Sequence, residues 1–133
     1  MYLLDTNIVS DLIKRPQGVV ADWIAAVGED EVTTSVVVAG ELRFGVERRG
    51  SPRLTAQLEA VLRLLPVLPL EAGADFHYGR LRTDLERRGE VIGGNDMLIA
   101  AHALSIGATL VTDNVREFER VEGLAIENWL RAA

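Results

Sequence analysis

The sequence predicts an α/β protein, a small parallel sheet flanked by helices on both faces. Three observations predict it. Short β-type runs, "YLLD", "EVTTS" and "ATLVT", alternate with helical stretches. The late segment "NDMLIAAHALSIG" is apolar almost all round, the pattern of a buried helix. Asp5 and Asp113 fall at the carboxyl ends of two of these strands, the edge outside which ligands of such sheets sit.

The elements follow in order. "YLLD" reads as a short buried strand, and "TNIVSDLIK" as a helix stopped by Arg15-Pro16, because proline pushes the preceding residue out of the helical region. Val20, Trp23, Ile24 and Val27 recur at helical spacing up to Gly28, which makes Trp23 a core residue. "EVTTS" is the second strand, and Ser35 begins a helix to about Arg49. "SPRLTAQLEAVLRLL" has serine at the N-cap, proline at the first helical position, and an apolar stripe of Leu54, Leu58, Val61, Leu62 and Leu65. "PVLPL" is a short extended piece. A helix from about Glu71 to Arg88 places Ala74, Tyr78, Leu81 and Leu85 on one face and closes at Gly89. The buried helix, the strand "ATLVT" and a last short strand in "AIENW" complete the chain.

Length and composition fit one domain over residues 1–133 with a full hydrophobic core. No apolar run approaches the ~18–20 residues of a membrane span, and no secretory leader pattern opens the chain. Cysteine is absent, which excludes thiolate metal sites and cysteine nucleophiles and fits a reducing cytoplasm, the expected location. The net charge of −6 argues against nucleic-acid binding by bulk electrostatics. Yet thirteen of the fourteen basic residues are arginine. They cluster at Arg43, Arg48, Arg49 and Arg53 and again at Arg80, Arg82, Arg87 and Arg88. Guanidinium forks suit phosphate oxygens; solvated helix faces are the plainer reading.

Each acid alone has an ordinary explanation. Asp5 could cap the helix after it. Asp113 could be a turn residue. Asp96 could favour a helix dipole. Glu41 could pair with an arginine, although Val37, Val38 and Phe44 would flank it on its helix face. Together the four acids have a more economical common cause, a carboxylate cage for a hard divalent cation such as Mg²⁺, with Mn²⁺ as a substitute. Such a site suits phosphodiester hydrolysis. It also reconciles an acidic chain with an RNA substrate, because metal ions bridge the acids to phosphate and arginines supply the remaining attraction.

No phosphate-binding GxxxxGK[ST], no GxGxxG and no GxSxG is present. His77 and His102 are not spaced as a zinc pair, and His102 reads as a hydrogen-bonded core residue. The few aromatics form no platform for stacking bases.

The segments "LLDTNIVSDLI", "GELRFGVERR", "IGGNDMLIAAHALSIGATLVTDNVREFERVEGL" and "IENW", in this order, resemble the PIN-domain ribonucleases, and within them the VapC-type toxins of bacterial toxin–antitoxin pairs. The resemblance runs from end to end. It implies a Mg²⁺-dependent endoribonuclease with Asp5 and Asp96 as principal metal ligands and Glu41 in the same shell. It implies that Thr6 and Asn7 steady the metal shell or phosphate, with Thr112 and Asn114 in supporting positions and Arg43 facing substrate. It also implies a homodimer and a cognate antitoxin that lays a helix in a groove. Many relatives carry an acid two residues after the threonine of "VTDN"; here Asn114 stands there. If a turn swings it inward, Asp113 is the fourth acid, because a carboxylate serves a cation better than an amide. Two rivals are weighed against this reading. A haloacid-dehalogenase-like phosphatase would need a second acid where Asn7 stands. A non-catalytic PIN scaffold would bind only its antitoxin.

Overall fold

The computed structural model describes residues 1–131. Five strands among the described residues form one sheet in the order β3-β2-β1-β4-β5, with every neighbouring pair parallel. They are β1 (Tyr2–Leu4), β2 (Val32–Ser35), β3 (Val67–Leu68), β4 (Thr109–Val111) and β5 (Ile126–Glu127). Parallel neighbours need crossovers, and the helices supply them. They are α1 (Thr6–Lys14), α2 (Val19–Val27), α3 (Val36–Arg49), α4 (Pro52–Leu64), α5 (Ala74–Arg88), α6 (Gly94–Ile106) and α7 (Val115–Phe118). No helix among the described residues is long and apolar enough to cross a membrane.

Register positions the site. Leu4 stands opposite Thr34 on one side and Val111 on the other, so three strands end level. The residues just past those ends, Asp5 and Thr112, emerge side by side. The Asp5 N–H still donates to the Val111 carbonyl at 2.9 Å, which carries the ladder one residue into the turn.

The core lies between the sheet and the helices: Leu3, Leu4, Ile8, Val9, Val38, Ile99, Ala100, Leu110, Val111, Phe118 and Trp129 are buried. Each large apolar side chain there contributes about 1.5–3 kcal/mol by leaving water. Helix α6 is buried around most of its circumference, from Met97 through Ala103 apart from Leu98, as its apolar sequence predicts. His102 belongs to this core; its Nδ1 lies 2.8 Å from Ser35 Oγ, which also caps α3 by accepting from Val37 N–H. Ser51 caps α4, with Pro52 in its first turn.

Three expectations need correction. The helix expected from about Glu71 starts at Ala74, because Gly73 at φ +108° breaks the chain path and its N–H bonds to Asp75 Oδ1. Trp23 is 40% exposed rather than core. It stacks nearly parallel on the buried Trp129, with ring centroids 5.4 Å apart. Phe44 is 62% exposed, so Glu41 does not lie on a buried apolar stripe, although Val38 beside it is buried.

Candidate active site

Asp5 occupies the N-cap position of α1, yet its carboxylate makes no capping bond. Instead Thr112 Oγ1 donates to Asp5 Oδ2 at 2.7 Å. Asp5 is only 4% exposed. Burial pushes its carboxyl above the ordinary range. The Thr112 hydroxyl and the Thr6 backbone counter that, and the charges of Glu41 and Glu117 push it higher again. This aspartate is therefore a wall of a site rather than a helix cap.

Glu41 reaches the same place from the second turn of α3. Thr6 Oγ1 donates to its Oε1 at 2.6 Å, and Asn95 Nδ2 lies 3.4 Å from its Oε2. Asp96 is the third residue of α6, with its Oδ2 close over the N-cap: a Cβ at Gly93 would stand 3.3 Å from that oxygen. Burial first, then a hydrogen bond with Glu117, then the charges of Asp5, Glu117 and Glu41 push its carboxyl up to about 7. A carboxyl in that state holds its proton more tightly than an ordinary one.

Glu117 is the member that sequence reasoning missed. It lies on α7, and Asn114 Nδ2 donates to its Oε2 at 2.9 Å. Asn114 is the N-cap residue of that helix, and its own N–H bonds to Thr112 Oγ1 at 3.0 Å. Thr112 and Asn114 thus each bond to an acid, Thr112 to Asp5 and Asn114 to Glu117.

Asp113 does not join them. Its Oδ1 accepts from Asn128 Nδ2 and Arg131 Nε, both at 3.0 Å, and these bonds hold its carboxyl below the ordinary range. It is not among the charges that perturb Asp5 or Asp96. The turn forms, but it swings the side chain toward the C-terminal segment. Asn7 explains part of this geometry: its Oδ1 accepts the Asp113 N–H at 3.1 Å, which clamps the loop after β4. Arg43 is also engaged elsewhere, in an ion pair with Glu59 of α4. Residues two apart on a helix do not face the same way, so Arg43 and Glu41 look in different directions.

Asp5, Glu41, Asp96 and Glu117 form no ion pair with arginine, lysine or histidine among the described residues. Like charges gathered without a counterion disfavour one another, which is part of what raises Asp96. The donors are all oxygen, with no thiol in the chain and His102 committed to the core. That set suits a hard cation. No three acidic, thiol or imidazole groups among the described residues stand together closely enough to hold a metal ion between them. An open set is what a Mg²⁺-type ion takes, because it keeps several waters and binds through one or two carboxylates.

Comparison with known proteins agrees with this geometry. The PIN domain family model matches residues 2–124. The chain is 38% identical to "Ribonuclease VapC2" of Rickettsia felis, over 97% of this chain and 98% of that one. It is 38% identical to "tRNA(fMet)-specific endonuclease VapC" of Shigella flexneri, over 96% and 97% of the two chains. Among solved structures, it superposes with a TM-score of 0.89 and 36% identity on a chain of VapBC2 from Rickettsia felis bound to a DNA fragment from their promoter, covering 96% of this chain and 98% of that one.

Proposed function

The chain belongs to the PIN-domain family, and from that premise we propose that it is an endoribonuclease toxin, dependent on a divalent cation and held in check by a partner antitoxin. The observation that carries the metal-dependent reading is the convergence of four carboxylates without a cationic partner, with Asp96 pushed up to about 7.

In this reading Asp5, Asp96, Glu41 and Glu117 hold the cation, directly or through water. The chemistry a bound cation supplies is charge neutralisation and polarisation of a phosphoryl oxygen at the scissile bond. The chain's own residues prepare the site. Thr112 fixes the orientation of Asp5, Thr6 that of Glu41, and Asn114 that of Glu117. Such outer partners are worth about 10–100-fold in metal affinity or activity. The carboxyl of Asp96, pushed up to about 7, ionises as pH rises through neutrality, and its carboxylate would then be available to a cation. Asn7 clamps the loop and leaves no second acid beside Asp5, so a phosphatase of the haloacid-dehalogenase kind finds no support. The site residues also set the chain apart from a scaffold that only binds its partner.

Mg²⁺ is the cation that best suits the open all-oxygen set, with Mn²⁺ replacing it. The exposed apolar side chains Val36, Phe44 and Leu64 on α3 and α4 are the surface offered to an antitoxin helix. The protein acts as a cytoplasmic homodimer of single-domain chains. Purified protein is expected to cleave RNA with Mg²⁺ or Mn²⁺ and to stop in excess EDTA. Undiminished cleavage under chelation would overturn the metal-dependent reading.

A further inference from the structure

A cleft of about 670 Å³ lies between the end of α5 and α7, lined by Arg88, Gly89, Glu90, Val91, Arg116, Glu119 and Arg120. Its two walls continue along the chain into the segments that carry Asp96 and Glu117. Val91 lies two residues before Gly93, the N-cap of the helix that carries Asp96. Arg116 immediately precedes Glu117.

The three guanidiniums are not equivalent. Arg88 is fully committed: it bonds Asp84 at 2.7 and 3.0 Å, Glu90 at 3.2 Å and the Arg120 carbonyl. It is a strut that ties the end of α5 to the chain after α7. Arg116 makes no side-chain hydrogen bond or ion pair among the described residues, and Arg120 makes only a 3.5 Å bond from Nη1 to the Val91 carbonyl. Four residues apart on α7 and its following turn, they share one face. Two charged forks without a carboxylate partner, beside four acids that repel any polyanion, supply the attraction the acid cluster withholds. Glu90 and Glu119 at the cleft moderate the field, and Arg88 already engages Glu90.

We propose that Arg116 and Arg120 form a binding subsite for a backbone phosphate of the RNA, flanking the scissile one. This rests on the nuclease reading for its biological meaning, but the binding itself needs neither cleavage nor metal. The subsite reads no base: guanidiniums on phosphate position the strand and leave sequence choice to other contacts. It takes the place that Arg43, paired with Glu59, does not fill.

The test is the salt dependence of single-stranded RNA binding in EDTA, by fluorescence anisotropy. Each phosphate contact on a single strand contributes about 0.7 to the slope of log K against log salt. The R116A/R120A variant, losing one phosphate contact, is expected to lower that slope by about 0.7 relative to the wild type. The R53A/R63A variant removes the same charge from α4 and is expected to leave the slope unchanged. In cleavage assays with Mg²⁺, R116A/R120A is expected to raise KM about tenfold or more and to keep kcat within about twofold. An unchanged slope, an equal loss in R53A/R63A, or no RNA binding by the wild type at low salt overturns the subsite. If the slope falls as expected but the wild type cleaves no RNA, the subsite stands and the nuclease reading falls. If the wild type cleaves and the slope does not move, the nuclease reading stands and the subsite falls.

Discussion

Replacing Asp96 by asparagine should make the metal-free protein more stable at pH 8 and nearly unchanged at about pH 3.5. The Asp96 carboxyl stands at about 7 against an ordinary 3.8. At ~1.36 kcal/mol per pKa unit, ionising it in the folded protein costs up to about 4 kcal/mol more than in the unfolded chain. Partial exposure and the coupling of Asp96 to the acids around it reduce this to about 2 kcal/mol. The sign is fixed by the direction of the shift. A group raised in the folded state contributes stability that is fully present below its unfolded value and is lost as pH rises through about 7. The amide of D96N would keep the shape, could donate to Glu117, and would carry no charge. In EDTA, followed by circular dichroism, the wild type should lose about 2 kcal/mol between about pH 3.5 and pH 8 from this group. That is a fall of roughly 6 °C in Tm for a domain of this size. D96N should lack that fall. Mg²⁺ should recover the wild type at pH 8 by binding the folded state, and D96N much less. Parallel pH curves for the two proteins would refute the reasoning, because Asp96 would then ionise in the folded protein as it does in the unfolded chain.

Two further outcomes separate the roles of the other acids. E117Q should lose most RNA cleavage, while D113N should keep it within a few-fold and lose up to about 1 kcal/mol of stability, as a partly exposed ion pair does; the opposite pattern would return the fourth place to Asp113. D5N should fold normally and cleave more than about 100-fold more slowly, and T112V, which removes only the hydroxyl that holds Asp5 Oδ2, should fall between about 10- and 100-fold; full activity in D5N would remove Asp5 from the site.

The fold was largely legible because its signals are local. Short apolar runs ending in Asp5 or Thr112, Ser35 and Ser51 at helix starts, and the all-apolar α6 each name their own structure. Asp5 and Asp96 were legible for the same reason, at a strand end and a helix start, and Glu41, in the second turn of α3, stood out as an acid flanked by apolar residues. Glu117 was not. Its helix spans only Val115–Phe118, too short to show a period, and "REFER" reads as a solvated charge run. One signal was available: asparagine followed three residues later by glutamate is a helix-start pattern, and Asn114 and Glu117 stand at that spacing. Asp113 misled because strand alternation ends at Thr112. The side chain's destination is set by Asn128 and Arg131, fifteen and eighteen residues away, which no local pattern announces. Trp23 misled because helical spacing shows which face is apolar, not whether another layer covers it.

The level register at the centre of the sheet has a consequence for how the protein is made. β1 is the middle strand, and Asp5 meets the hydroxyl that aims it on a residue 107 positions later. A ribosome releases the first acid early, but β4 and α7 must follow before Thr112 and Glu117 can close around it. Contacts of such separation form late, after the loop-closure entropy of the intervening chain has been met. A nascent chain therefore carries its harmful residues long before it can use them. Whatever RNA surrounds the growing polypeptide, including the message being read, is spared until the centre of the sheet is closed.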